Sequence, residues 1–204
     1  RNPAFKISYR IERMRNIKLV EVRSELAAGT RGASMGIDAL KVASLDKKSD
    51  FFAKFDPINV PDANSYLWKG NRFPYSKYID GVFVVLTNVF LTIRTLRLEK
   101  TFPIVLAGDH STAAGTIMGI KAAEPHKRLG VIWIDAHADL HTPYTTPSGN
   151  IHGMPLAMCI GTDNKACQIN DPGEEAIAYW EKIKKMRNKI NSNRKTKFKK
   201  ISFL

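Results

Sequence analysis

The segment IDAHADLHTPYTTPSGNIHG, Ile134 to Gly153, gathers three histidines and two aspartates into twenty positions. Asp135, His137, Asp139 and His141 fall at every second residue. On a helix that spacing scatters side chains round the cylinder, whereas on an extended segment it projects all four to one side. The apolar run LGVIWI leads directly into them, so the pattern predicts a buried strand that delivers the cluster at its end. Carboxylates crowded there repel one another and resist burial unless a cation is shared between them. A lone His or Asp is usually a cap or a loop hydrogen bonder; four together outweigh that reading.

A second strand end adds to the group. FPIVLAGDHS is an apolar run that stops at a glycine and presents Asp109, His110 and Ser111. His110 would bring a second imidazole to Asp135 and Asp139. Mixed carboxylate and imidazole ligands without thiolates favour Mn²⁺ over Fe²⁺, Co²⁺ or Zn²⁺. Asp135, at the centre, could bridge two such ions, an arrangement that activates water.

Elements must hold these residues in place. IKLVEVR (17–23) reads as a first strand, followed by a glycine-rich loop and a helix through IDALKVASL. Residues 46–75 read mostly as loop, and 76–100 carry helical apolar spacing. After the FPIVLAGDHS strand, TAAGTIMGIKAAE supplies a helix and LGVIWIDAHAD a further strand. Strand, helix, strand at this spacing is a βαβ unit. It predicts an α/β fold of three layers, α/β/α, around a mainly parallel sheet, whose function collects beyond the carboxyl ends of the strands. DPGEEAIAYWEKIKKM has one more helical pattern, acidic early and basic late.

The net charge of +13 resembles a nucleic-acid signal until it is located. Residues 1–13 hold four basic and one acidic residue, and residues 182–204 hold ten basic and none acidic, which leaves 18 of each between. The expected organisation is therefore a basic extension (1–13), one folded domain (14–181) and a basic, disordered tail (182–204). Binding of nucleic acid is not expected, since aromatic interleaving in the tail is limited to Phe198 and Phe203. Two cysteines and no charged leader before an apolar run point to the cytoplasm. The most apolar stretch, VFVVLTNVFLTI, is twelve residues long and contains Asn88, so it reads as a buried helix and no membrane partner is expected.

GDHST (108–112), DAHAD (135–139) and SGNIHG (148–153) resemble, in order and spacing, the motifs of the arginase branch of the ureohydrolases. These are dimanganese enzymes that cleave L-arginine to ornithine and urea. The glycine loop GTRGASMG is also similar, and the likeness runs from about residue 14 to residue 161. The resemblance implies that His110 and Asp139 hold one manganese and His137 the other, with Asp135 bridging. It implies that His152 passes a proton to the leaving amine, while a loop histidine is the plainer reading of that residue. Thr146, Ser148 and Asn150 would contact the α-carboxylate and α-amino groups of the substrate; as bare sequence they are turn formers. His141 stands where the family pattern has asparagine, and remains a candidate substrate contact. A homo-oligomer is expected of the complete family domain.

The resemblance also implies residues that do not occur in these 204: no Asp-x-Asp is present. The expectation is a partial domain, lacking the later strands of the family fold, with impaired activity. Alternatives are an agmatinase, guanidinobutyrase or formimidoylglutamase type of hydrolase, or a non-catalytic fragment.

Overall fold

The structure is a computed structural model that describes residues 16–188; the predicted extension 1–13 and most of the predicted tail lie outside the described residues. Its centre is a three-stranded parallel sheet in the order β2-β1-β3, formed by β1 (Ile17–Val22), β2 (Pro57–Val60) and β3 (Phe102–Ala107). β1 pairs from Ile17 with Phe102 to Val22 with Ala107 on one side, and from Leu19 with Pro57 to Val22 with Val60 on the other. Strand alternation splits β1 between two layers. Val20 and Val22 enter the main core, while Leu19 and Glu21 turn to the opposite face, where Glu21 pairs with Lys41 at 2.6 Å. Lys41 belongs to α1 (Gly36–Asp46), so helices cover both faces as the three-layer reading predicts.

On the core side lies α3 (Ile79–Leu98), after a short α2 (Phe51–Lys54). Ile79, Val82, Leu86, Val89, Ile93 and Leu96 recur at three- and four-residue steps and are buried. Full burial of each contributes roughly 1.5–3 kcal/mol, and an ionised residue at Leu86 would undo it. At twenty residues the helix outruns the twelve-residue apolar stretch in the sequence and is long and apolar enough to cross a membrane; half of its apolar window is buried inside this fold. It ends at Leu98, and Lys100, two residues on, has a φ of 60° outside the helical region. Against it pack α4 (Thr112–Ala123) and α6 (Glu174–Asn188), with α5 (Pro155–Ile160) bridging the two.

Three expectations are corrected. The 46–75 region contains β2, four residues that begin at Pro57 and stop before Pro61, too short to show a period. α6 continues to Asn188, past the predicted boundary at 181: Ile183, Lys184 and Met186 are buried, and Lys184 reaches Asp163 at 2.5 Å. LGVIWI forms no strand. Ile132 and Ile134 are 90% and 94% exposed, and β3 pairs with β1 alone among the described residues. A parallel strand is buried by neighbours on both sides, which a local apolar run cannot supply for itself.

Candidate metal and substrate site

Two chain reversals at the carboxyl end of the sheet build the site. The turn after β3 is anchored by buried Asp109, which accepts from Ser111 N (3.0 Å) and Ser111 Oγ (2.5 Å), and across the site from Ser24 Oγ (3.3 Å) and Ala27 N (3.4 Å). Burial pushes the Asp109 carboxyl above its ordinary range. The loop after β1 is fixed by Glu25, which accepts from Gly32 N (2.9 Å), Ser34 N (3.2 Å) and Ser34 Oγ (3.0 Å). Both carboxylates hold loops in place; Asp109 stands in the GDHST motif without a role read from the sequence, and Glu25, three residues after β1, carried no motif signal.

The turn sets His110 beside the second cluster. His110 Nδ1 lies 3.0 Å from Asp135 Oδ2 and 2.9 Å from Asp139 Oδ2, and its ring stacks on Trp133 with centroids 4.6 Å apart. One ligand-capable atom from each of His110, Asp135 and Asp139 falls within 4.8 Å of the others. The cluster is reached by a bend, not by the extended strand end that the alternation predicts. His137 N donates back to Asp135 Oδ1 at 2.8 Å, so residues 135–137 fold over. As a result the side chains do not share one side. Asp139 is 7% exposed and His137 81%, with His137 Nδ1 at 3.4 Å from Asp135 Oδ1.

The neighbouring carboxyls diverge in acidity. The His137 backbone N–H holds Asp135 below the usual carboxylate range, aided by the His110 ring. Burial raises Asp139, against a partial pull from His110. Asp139 also has a left-handed backbone, φ 49°, and its carbonyl accepts from Leu156 N (3.2 Å) and Ala157 N (3.3 Å) at the start of α5. Its Oδ2 is buried and takes no hydrogen bond of acceptable geometry, although His110 is close. A buried, unbonded carboxylate oxygen converging with an imidazole nitrogen and a second carboxylate fits a shared cation.

One cavity of about 650 Å³ is lined by His110, Asp135, His137 and Asp139, and also by His141, Thr146, Ser148, Asn150 and His152. The metal-ligand, substrate and proton-transfer candidates read from the sequence therefore all border the same space. Thr145, Asn164 and Cys167 also line it and carried no sequence signal. In the loop, Thr146 Oγ1 accepts from Ser148 N (3.3 Å) and Gly149 N (2.9 Å), and Ser148 Oγ accepts from Asn150 N (3.2 Å). Those hydroxyls fold the loop as turn formers while still facing the cavity. His141 is exposed, 3.5 Å from Thr145 Oγ1 through Nδ1, and His152 is exposed in a short 3₁₀ turn. Gly149, with φ 75°, passes so close to Pro74 that a Cβ would overlap the Pro74 carbonyl oxygen.

A parallel sheet with a carboxylate and imidazole cluster beyond its carboxyl edge makes this an α/β protein with a group that could hold a metal ion. A model of the Arginase family, a family of hydrolases, matches residues 15–197, and the chain belongs to that family. It is 39% identical over 151 residues to an arginase of Brevibacillus brevis, which covers 72% of this chain and 49% of that one. In structure it is similar to Entamoeba histolytica arginase in complex with L-ornithine, with a TM-score of 0.61 and 27% identity over 76% of this chain and 53% of that one. The arginase of Bacillus caldovelox gives a TM-score of 0.61 at 31% identity, over 76% of this chain and 52% of that one. The chain spans about half the length of the curated relatives it matches.

Proposed function

We propose that this chain carries the amino-terminal part of a cytoplasmic, manganese-dependent amidinohydrolase that converts L-arginine and water to L-ornithine and urea. The observation that carries the reading is the buried Asp139 Oδ2, unbonded and converging with His110 and Asp135. His110, Asp135 and Asp139 would hold manganese, with His137 beside them. Bound manganese supplies Lewis acidity and activates water at neutral pH.

The chain's own residues do the remaining work. At about 650 Å³ the cavity has room for an amino-acid substrate, with the guanidinium at the carboxylates and the amino-acid head at the 146–150 loop. Ser148 and Asn150 offer short uncharged donors there, which grip a carboxylate without a cation that competes with the metal. Thr146 sets the loop that presents them. When the scissile C–N bond breaks, the departing side-chain nitrogen needs a proton, and His152 at the cavity wall donates it. His141 lines the same cavity and contributes to the choice of amino acid.

The test is urea release from L-arginine with added Mn²⁺, for the chain alone and co-expressed with the part of the Brevibacillus brevis relative that it does not match. Release above an Asp139→Asn background, larger in the co-expressed sample and small with agmatine, is expected. No release in either arm would sink the reading.

A further inference from the structure

Beyond the cavity wall, the head-group loop is held from behind by residues of another segment. Lys77 N donates to Gly149 O at 2.8 Å, and Lys77 Nζ donates to Asn150 Oδ1 at 3.2 Å. On the other side of the amide lies Gly29, where a Cβ would come within 2.8 Å of Asn150 Nδ2. The Asn150 side chain is thus clamped between a half-buried ammonium and a bare backbone.

An amide can be turned either way, with oxygen and nitrogen exchanged, but an ammonium has donors only. Lys77 therefore fixes the oxygen toward itself. The amide is left to offer its N–H groups, the polarity that a carboxylate needs and an ammonium cannot use. The same clamp bears on the electrostatics of the cavity: a cation stands against Asn150, and the carboxylates of Asp135 and Asp139 line the same space. A ligand with an anionic head and a cationic tail is oriented by that gradient.

We propose that Lys77 is a positioning residue that locks Asn150 as a donor and so selects ligands bearing a carboxylate. This rests on the amino-acid substrate reading above. The lysine acts through Asn150 and does not line the cavity itself. Its backbone bond to Gly149 is kept by any substituted side chain other than proline, so side-chain variants isolate the ammonium.

The experiment compares wild type, Lys77→Met and Lys77→Arg in manganese-containing buffer. Dissociation constants for L-ornithine and for 1,4-diaminobutane, its counterpart without the carboxylate, are measured by calorimetry. A charge-assisted hydrogen bond predicts a preference for ornithine of about tenfold or more in wild type. Lys77→Met should lose most of that preference and Lys77→Arg should keep it, while the Asn150 side-chain amide resonances of the metal-free protein shift only in Lys77→Met. A purely structural lysine would change melting temperature but leave the ratio alone. An unchanged ratio in Lys77→Met overturns the role of Lys77 and leaves the amino-acid site standing. No ornithine preference in wild type overturns both.

Discussion

Asp139 Oδ2 lies 2.9 Å from His110 Nδ1, is buried, and makes no hydrogen bond of acceptable geometry. The pair joins the turn after β3 to the bend that follows residue 134, two segments separated by helix α4 in sequence. Two groups that approach without bonding leave a deficit that a cation relieves, since an unpaired buried carboxylate costs free energy.

The exposed course of residues 130–134 has a direct consequence. Ile132→Lys should change stability by no more than about 0.5 kcal/mol, as expected of a surface position, and should reduce self-association. Urea denaturation and sedimentation check both. A loss of several kcal/mol would mean that this run is packed as a strand.

Gly149→Ala should destabilise the protein by more than about 1 kcal/mol, because the left-handed backbone and the Pro74 carbonyl both oppose a Cβ. For a chain of this size that lowers the melting temperature by roughly 2–4 °C per kcal/mol. Calorimetry decides it, and Gly130→Ala, at an open position, is the control that should be nearly silent.

Asp163 accepts from Lys184 Nζ at 2.5 Å and Trp180 Nε1 at 2.9 Å. Burial raises its carboxyl, but these donors outweigh burial and hold it below the ordinary range. A carboxyl with a lowered folded value adds stability that is present above its unfolded pKa near ~4 and lost as pH falls through the folded value. Lys184→Met should therefore lower stability at pH 7 by about 1 kcal/mol and weaken the acid dependence below pH ~4. Equal acid sensitivity in variant and wild type, by thermal melts between pH 2.5 and 7, would show that Lys184 does not hold the Asp163 carboxyl down.

The elements that could be read in the sequence are those whose pattern is local. β1, α1, α3, β3 and α4 declare themselves by apolar spacing, and GDHST, DAHAD and SGNIHG by residue type. What the sequence did not reveal depends on neighbours. β2 is a strand because Leu19 to Val22 offer it an edge, and 130–134 is not one because nothing described flanks it outside β3. The bend at 135–137 comes from one backbone bond to Asp135, which the alternating pattern cannot show. The clamp on Asn150 joins residues 73 positions apart and has no sequence signature.

His110, Asp135 and Asp139 converge as the proposed manganese site. Titration of the chain with Mn²⁺, followed by loss of the free-ion electron paramagnetic resonance signal, tests it most directly. Saturable binding is predicted in wild type, weakened in Asp139→Asn and in His110→Ala by more than the roughly 10- to 100-fold that loss of an outer partner causes. Uptake equal in wild type and both variants, or none in wild type, would contradict it.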